Sequence, residues 1–325
     1  MLDQLGPQRA HVSPERQPIR PKGKSASRLA AAAGMENSSA NKPKQTGQAS
    51  FTKKLLVCSD VLCLFLVSTP FFLSELKAVR PYTRGFICGD SSIAYPHLQS
   101  EAIPDKLLIA GGLLITGLGI TVGECYRVRF QGVNSKAFVR NKYVSSLYKE
   151  LGSFLFGCCV GQSLTNVAKL SIGRLRPHFL SVCGVTYASL NCTEGAYLES
   201  VRCHSTDYRS IEEARKSFFS GHASFAMYTM LYLAFYLQAR LTWREARLLR
   251  PVLQFLLFLL AIYTGLTRIT DNKHHPSDVL FGYIIGALTA YWVAFYISSM
   301  FKRASLNQSQ VESQNEHISA QHSVC

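Results

Sequence analysis

The sequence predicts an all-α membrane protein, a bundle of six transmembrane helices with disordered cytoplasmic tails. Of its 325 residues, 47% are hydrophobic and only 17% are charged, well below the roughly 25% charged residues of an average soluble domain. The apolar residues are concentrated in six runs, each near the length of about 20 residues that a bilayer's hydrocarbon core requires. Both ends of the chain are polar. This pattern excludes an ordinary soluble enzyme, a wholly disordered chain and a small disulfide-stapled secreted domain.

The six predicted spans define the domain organisation. In order, they are residues 55–75, 107–126, 151–170, 221–239, 252–267 and 279–301. They form a transmembrane domain, residues 55–301, between the tails 1–54 and 302–325. Residues 1–50 contain no aromatic residue, and a segment that buries so little apolar surface is expected to be disordered. The third span carries polar side chains, among them Lys169, which should face the bundle or a water-filled cavity rather than lipid.

The distribution of basic residues predicts the orientation of these spans. Six spans leave both termini on one side of the membrane, and 22 of the 35 Lys and Arg residues fall in the segments on that side. Because basic segments stay in the cytoplasm, we expect both termini to be cytoplasmic and the loop 171–220 to be exoplasmic. The net charge of +15 is therefore explained by membrane topology, and no nucleic-acid partner is expected.

Two features of the exoplasmic segments agree with this orientation. Asn191 begins an Asn-x-Thr acceptor and is predicted to be glycosylated. Four cysteines fall on the same side of the membrane, where disulfides persist; they are Cys88, Cys183, Cys192 and Cys203. Four cysteines allow three pairings, and the sequence does not choose among them.

Three polar clusters lie at span ends and, by counting crossings, on the exoplasmic face. The first contains Lys169 and Arg176, and the third contains Arg268. Three cations suit a dianionic ligand such as a phosphate monoester. For any single arginine, anchoring to lipid head groups is the simpler alternative. Lys169 weakens that alternative, because it falls within an apolar span rather than beyond it.

The second cluster is Ser220-Gly221-His222, at the start of the fourth span. A helix start offers backbone N–H groups and the positive end of the helix dipole, and both favour an anion. Gly221 would let the backbone approach an oxyanion closely. His222 stands directly beside this anion site, where an imidazole could exchange protons with a bound ligand.

His274 and Asp278 in the third cluster are four residues apart. Pro276 favours a helix start that places Asp278 in the first turn, where a carboxylate is stabilised in its ionised form. We expect Asp278 to accept the N–H of His274, which fixes the tautomer and leaves the other ring nitrogen as a nucleophile. His275 is interpreted as a solvated surface residue.

These residues predict a phosphatase mechanism. His274 attacks phosphorus and becomes a phosphohistidine, while His222 protonates the leaving group and then activates the water that releases phosphate. The side chains or amides expected to stabilise the phosphate oxygens are those of Lys169, Arg176, Ser220, Gly221 and Arg268. No carboxylate or thiolate ligand set accompanies them, so neither a metal nor a cofactor is expected.

The three clusters resemble the signature of the type 2 phosphatidic acid phosphatase superfamily, K-x6-RP, (P)SGH and SR-x5-H-x3-D. In this chain they read Lys169…Arg176-Pro177, Phe219-Ser220-Gly221-His222 and Thr267-Arg268…His274…Asp278. The match extends over most of residues 55–303 and is closest to the animal lipid phosphate phosphatases, above all those of type 3. The resemblance implies a six-helix phosphatase of the vanadium haloperoxidase-like class, with its site facing outward or into a lumen. It also implies substrates such as phosphatidic acid, lysophosphatidic acid, sphingosine 1-phosphate and ceramide 1-phosphate.

The implied partners are lipid phosphates in the outer or lumenal leaflet, and the implied location is the plasma membrane, with the ER and Golgi as further sites. A homo-oligomer is left open. Three alternatives remain: a catalytically silent scaffold or adhesion protein of the same family, a lipid phosphotransferase, and a six-span transporter. A silent relative should lack a histidine or a cation of the signature, and a transporter should carry polar groups through the depth of several spans. The sequence shows neither pattern.

Overall fold

Helices dominate the computed structural model, which describes residues 45–130, 141–241, 246–298 and 300–301. The long helices are α1 (Gln45–Glu75), α2 (Asp105–Phe130), α3 (Lys142–Ile172), α7 (Gly221–Arg240), α8 (Leu249–Thr270) and α9 (Pro276–Trp292), the last continued by a π-type turn, Val293–Ile297. The short helices between α3 and α7 are α4 (Phe179–Cys183), α5 (Tyr187–Leu190) and α6 (Tyr208–Glu213). Each predicted span corresponds to one long helix, although the sixth span was predicted to end at residue 301, beyond the π-type turn. The all-α prediction is confirmed.

Five of the described helices are long and apolar enough to cross a membrane, namely α1 from Leu55 onward, α2, α3, α8, and α9 with its π-type turn. The chain is therefore a multi-pass membrane protein. The fourth predicted span corresponds to α7, which is not among the five, so the count of six spans stays a prediction. This helix lies at the centre of the bundle and packs against α2, α3, α8 and α9.

Buried tyrosines explain why α7 is less apolar than a lipid-facing helix. The hydroxyl of Tyr228 donates to the carbonyl of Phe154 on α3 at 2.7 Å, and the two rings stack with centroids 5.9 Å apart. The hydroxyl of Tyr236 donates to Glu124 on α2 at 3.0 Å. Polar groups of this kind are tolerated in the interior because neighbouring helices satisfy their hydrogen bonds.

Buried ion pairs join the helices at the end of α7 remote from Gly221. Glu124 on α2 lies 3.7 Å from Nε of Arg240 and accepts a 2.7 Å hydrogen bond from Arg127 of its own helix. Glu150 on α3 pairs with Arg240, in the last turn of α7, at 2.9 Å. Glu124 and Glu150 are 1% and 3% exposed. Removing one partner of a buried pair would leave a charge unpaired, so these contacts fix the relative positions of α2, α3 and α7.

The predicted tails 1–54 and 302–325 lie outside the described residues, with one exception. Helix α1 begins at Gln45, earlier than the predicted boundary at residue 55. Residues 45–54 therefore continue α1 beyond the predicted span, and the tail boundary at residue 54 stays a prediction. The apolar run marks where the chain can enter a hydrocarbon core, but it does not mark where the helix starts, because a helix extends through polar residues outside that core.

The segments that follow α1 and α3 form a second, smaller hydrophobic core. Strand β1 (Phe86–Ile87) pairs antiparallel with β2 (Tyr197–Leu198). The disulfide Cys88–Cys192 joins the same two segments, whereas Cys183–Cys203 lies within the loop 171–220. Together they select one of the three pairings that the sequence allowed. The buried apolar residues of this core are Phe86, Ile93, Leu175, Phe179, Leu180 and Val185. The loop 171–220 is thus an ordered structure tied to the loop that precedes α2.

Candidate functional site

Four helix ends meet at one end of the bundle: the last turns of α3 and α8 and the first turns of α7 and α9. The amide of Ser220 donates to the carbonyl of Asp278 at 3.0 Å. This close approach of α7 and α9 requires Gly282, because a Cβ there would lie 2.7 Å from the carbonyl oxygen of Ser220. The amide of His274 donates to the carbonyl of Arg268 at 3.1 Å, which folds the α8–α9 connection back over the end of α8.

The end of α3 turns the chain towards this point. Gly173 has φ of +59°, a conformation that glycine adopts without a steric penalty, and a Cβ there would collide with the carbonyl of Tyr82. Beyond it, the amide of Arg176 donates to the carbonyl of Ala214 at 2.8 Å, and the carbonyl of Arg174 accepts from Ser217 at 2.9 Å. The segment after α3 is therefore held beside the segment before α7.

Lys169 lies in the last turn of α3, beside the first turn of α7. A Cβ built on Gly221 would be 3.6 Å from its Nζ atom. The ammonium group thus lies beside the N-terminus of α7, and no side chain separates them because the residue there is Gly221. Ser220 caps α7 by accepting from the amide of Ala223 at 3.4 Å. The Ser220 amide is paired with Asp278, whereas the first-turn amides of Gly221 and His222 have no acceptor in the part of the chain that the structure describes and can bind an anion.

His222 and Arg268 are in direct contact, with 3.2 Å between His222 Nε2 and Arg268 Nη1. His222 Nε2 also donates to the carbonyl of Ile103 at 3.1 Å and lies 3.4 Å from the carboxylate of Asp105. The second and third predicted clusters are therefore adjacent, and a segment before α2 reaches both.

Carboxylates pair with both terminal nitrogens of Arg268. Nη1 lies 2.9 Å from Glu101, and Nη2 lies 2.7 Å from Asp271. Nε is buried and has no partner within the described residues. Glu101 also pairs with Lys273 at 3.0 Å. Burial alone would raise the pKa of Glu101, but hydrogen bonds from Arg268 and Lys273 lower it to about 2, so this carboxylate is ionised at physiological pH.

Arg176 makes one ion pair, a 3.4 Å contact between its Nη2 and Glu213 in α6. Its Nε is buried and has no partner within the described residues. Burial lowers the pKa of Arg176, and the charge of Arg268 adds to this effect. A buried guanidinium with an unsatisfied N–H is available to a ligand, because a buried donor without an acceptor is energetically costly.

The ring of His274 is buried, with 4% of the residue exposed. Burial lowers its pKa to about 3, the carboxylate of Asp278 opposes this shift, and the charges of Arg176 and Lys169 reinforce it. The imidazole is therefore neutral at physiological pH. Nδ1 faces Ser217 Oγ at 3.5 Å and Asp278 Oδ2 at 3.9 Å, so Nε2 is the nitrogen available for attack.

Asp278 is fully buried and has several partners. Arg174 Nη1 lies 2.6 Å from its Oδ1. Its Oδ2 accepts from Ser217 Oγ at 2.6 Å, from the His275 amide at 3.1 Å and from His275 Nδ1 at 3.2 Å. The distance from His274 exceeds that of a hydrogen bond in this state. Asp278 therefore acts on His274 electrostatically across 3.9 Å, and also through the hydroxyl of Ser217, which lies within 3.5 Å of both side chains.

His275 was interpreted from the sequence as a solvated surface residue, and this interpretation is wrong. The residue is 9% exposed, and its ring donates to Asp278. It directly precedes Pro276, the first residue of α9. Both its amide and its ring donate to the carboxylate of Asp278, and these two hydrogen bonds hold the side chain in the interior. Two adjacent histidines in one sequence cluster gave no signal of which would lie closer to the carboxylate.

Asn191 lies away from these residues, at the end of α5. It is exposed and has φ of +47°, a left-handed conformation that asparagine tolerates better than most residues. An accessible side chain is compatible with glycosylation, which stays a prediction.

The structure thus brings together at one end of the bundle every residue of the three predicted clusters. It also adds residues that the sequence did not single out, namely Arg174, Ser217, Glu101 and Lys273. Arg174 could have been singled out from the sequence, because it lies between Lys169 and Arg176 in the first cluster, but it was given no role there. Glu101 had none, because it comes from a loop without a motif. Among the described residues, no group of three or more His, Cys, Asp or Glu side chains could hold a metal ion.

The bundle and the site define a class of protein: a multi-pass helical membrane protein with two imidazoles and three cations gathered at one end. A profile of the PAP2 superfamily matches residues 150–302. The chain is 46% identical to phospholipid phosphatase 1 of Rattus norvegicus over 258 residues, which are 79% of this chain and 89% of that protein. It is 47% identical to phospholipid phosphatase 2 of Homo sapiens over 248 residues, 76% of this chain and 84% of that protein.

The chain therefore belongs to the phospholipid phosphatase family of the PAP2 superfamily, and the resemblance found in its motifs is confirmed. No solved structure matches the chain. The particular likeness to type 3 members stays a prediction.

Proposed function

We propose that this chain is a lipid phosphate phosphatase that hydrolyses phosphate monoesters of the phosphatidic acid, lysophosphatidic acid, sphingosine 1-phosphate and ceramide 1-phosphate type. One observation carries the proposal. Two histidines from different helix ends, His222 and His274, lie among three cations, with 3.2 Å between His222 and Arg268. A phosphate dianion matches such a set of charges, and proteins named phospholipid phosphatases are 46% and 47% identical to this chain.

The chemistry begins with in-line attack of His274 Nε2 on phosphorus. A P–N bond forms as the P–O bond to the lipid alkoxide breaks, and His222 gives the alkoxide a proton. Water then attacks the phosphohistidine, His222 takes its proton, and inorganic phosphate leaves with His274 restored. The neutral imidazole of His274 supports this role, because a protonated ring has no lone pair at the attacking nitrogen.

The cations stabilise the charge on the transferred phosphoryl group. Lys169 lies beside Gly221, and the Nε atoms of Arg176 and Arg268 have no partner within the described residues. We expect these three groups to bind the phosphate oxygens. The amides of Gly221 and His222 add two donors, and Ser220 supports them by capping α7 rather than by contact with the ligand. Such preorganised donors act on the transition state without reorganising.

We further propose that no metal takes part and that the site faces the exoplasm or a lumen, with both termini cytoplasmic, mainly in the plasma membrane. The excess of basic residues in segments on the side of the termini supports this orientation. The two disulfides beside the site also support it, because disulfides persist in oxidising compartments.

Phosphate release from a panel of lipid phosphates by the purified chain in detergent micelles tests the proposal. We expect release that persists in excess EDTA, is lost in His274→Ala and is retained in His204→Ala, an exposed histidine of the same loop system. Transfer of the phosphoryl group to an added alcohol without release of phosphate would instead indicate a phosphotransferase. Binding of lipid phosphates without turnover would indicate a silent scaffold.

A further inference from the structure

A short segment that ends at the first residue of α2, residues 101–105, contacts two neighbouring functional groups of the site; we call it the strap. Its Glu101 carboxylate pairs with Arg268 at 2.9 Å. Its Ile103 carbonyl accepts from His222 at 3.1 Å. The strap therefore engages one phosphate-binding cation and one proton carrier at the same time, although the proposed reaction uses none of its own side chains.

The Glu101 carboxylate occupies an N–H donor of a proposed phosphate-binding arginine. It binds Nη1 of Arg268, the nitrogen that lies 3.2 Å from His222 Nε2. A phosphate oxygen bound to this nitrogen, beside His222, would need the same N–H donor. Carboxylate and phosphate oxygens accept from a guanidinium with the same geometry, so the two groups compete for one donor.

Asp271, the other carboxylate on Arg268, is held more firmly than Glu101. Its side chain is 10% exposed, it lies in the same helix end as Arg268, and it accepts from the amide of Ala102 at 3.0 Å. The Glu101 side chain is 29% exposed and belongs to a loop far from α8 in sequence. Of the two, Glu101 is the carboxylate that can leave Arg268 without disturbing the helix end.

We propose that Glu101 is an internal competitor of phosphate, which occupies Arg268 when the site is empty, leaves when substrate binds and promotes release of the inorganic phosphate product when it returns. This inference rests on the proposed function for the identity of the ligand. The low pKa of Glu101 agrees with it, because the carboxylate stays ionised and available at any physiological pH. Lys273, 3.0 Å from Glu101, offers a second cation to the displaced carboxylate.

Binding of inorganic orthophosphate to the full-length protein in detergent tests this inference without turnover. At about pH 8, where orthophosphate is mainly a dianion, the rise in melting temperature with concentration gives the dissociation constant. We expect Glu101→Gln to lower that constant about tenfold, since a charge-assisted hydrogen bond no longer has to be displaced. Glu199→Gln, which removes the same charge from an exposed residue, should leave it unchanged.

The sign of the effect separates competition from a purely structural role. If Glu101 only positions Arg268, Glu101→Gln will bind orthophosphate as well as the wild type or more weakly, and either result overturns the inference. In turnover, the variant should show a lower inhibition constant for added orthophosphate and a lower KM for the lipid monoester. If the wild type releases phosphate normally but the binding constants do not differ, the inference falls and the proposed function stands.

The reverse outcome is equally distinct. If the wild type releases no phosphate from any lipid but Glu101→Gln binds orthophosphate more tightly, the proposed function falls and the competition stands. If Glu101→Gln does not fold, amide hydrogen exchange of the wild type, measured with and without orthophosphate, tests the inference instead. Faster amide exchange at residues 101–105 in saturating orthophosphate is expected, and unchanged or slower exchange would overturn the inference.

Discussion

The hydroxyl of Ser217 lies between the carboxylate of Asp278 and the ring of His274. It donates to Asp278 Oδ2 at 2.6 Å and lies 3.5 Å from His274 Nδ1, whereas Asp278 and His274 are 3.9 Å apart. Ser217 is fully buried. Orientation of the proposed nucleophile therefore depends on a serine as well as on the carboxylate four residues further along the chain.

Ser217→Ala should lower kcat for phosphate release about tenfold, with little change in KM. The loss corresponds to one hydrogen bond in the orientation of His274, of the order of 1 kcal/mol. The measurement is steady-state release of phosphate from a lysophospholipid phosphate in micelles. Ser189→Ala in α5, an exposed serine, is the matched control and should behave like the wild type. A loss in KM alone would show that Ser217 contributes to binding instead.

Arg174→Gln should destabilise the protein by about 2 kcal/mol and lower activity as well. Arg174 is the cation nearest to the buried carboxylate of Asp278, at 2.6 Å, and its loss leaves that charge with neutral donors only. Thermal unfolding in detergent measures the effect. Arg202→Gln, at an exposed position of the same loop, should change the melting temperature little. Equal melting temperatures for both variants would contradict the importance of this ion pair.

Substitutions of the adjacent histidines should separate their roles. We expect His274→Ala to reduce phosphate release by at least about a thousandfold, because it removes the nucleophile. His275→Ala should reduce it only about tenfold, because the amide of His275 still donates to Asp278 after the ring is removed. A larger loss in His275→Ala than in His274→Ala would mean that the two roles are exchanged.

His178 should make the fold sensitive to acid. Burial, reinforced by the charges of Arg176 and Lys273, lowers its pKa from 6.5 to about 4 against the opposing hydrogen bond to Asn272. Below about pH 6.5 the unfolded chain therefore binds a proton that the folded chain refuses, so stability falls as the pH falls towards 4. At about pH 5 the cost is about 1–2 kcal/mol.

Melting temperatures between about pH 7 and pH 4.5 measure this effect of His178. The pH dependence should be shallower in His178→Gln than in the wild type, although the variant is less stable at neutral pH because it loses the 2.6 Å hydrogen bond from Nδ1 to the carbonyl of Asn272. Identical pH dependence in the two proteins would show that His178 is not the residue responsible.

The long helices could be predicted from the sequence, since length and hydropathy alone decide whether a segment suits a bilayer. The start of α1 at Gln45 could not, because polar residues beyond the membrane continue the helix without an apolar signal. The short strands and helices of the loop 171–220 could not be predicted from the sequence either. Strands of two residues and helices of four to six residues are fixed by tertiary contacts and by a disulfide between cysteines 104 residues apart, not by local propensity.

The clusters of the site were recognisable because each combines charged or imidazole side chains with a span end. Their partners were not, because the contacts join distant parts of the chain. Ser217 and Asp278 are separated by 61 residues, Arg174 and Asp278 by 104, and Glu101 and Arg268 by 167. Only the packing of the four helix ends, together with the loops beside them, brings these residues within hydrogen-bond distance.

The phosphoryl-enzyme intermediate tests the central claim most directly. An aryl phosphate with a good leaving group needs no proton to depart, so His222→Ala should still form the intermediate but hydrolyse it slowly. After quenching at alkaline pH, mass spectrometry of the peptides should find phosphate on His274 of this variant, and none in the double variant His222→Ala, His274→Ala. Phosphate on another residue, or hydrolysis of the aryl phosphate without any phosphorylated peptide, would contradict the account.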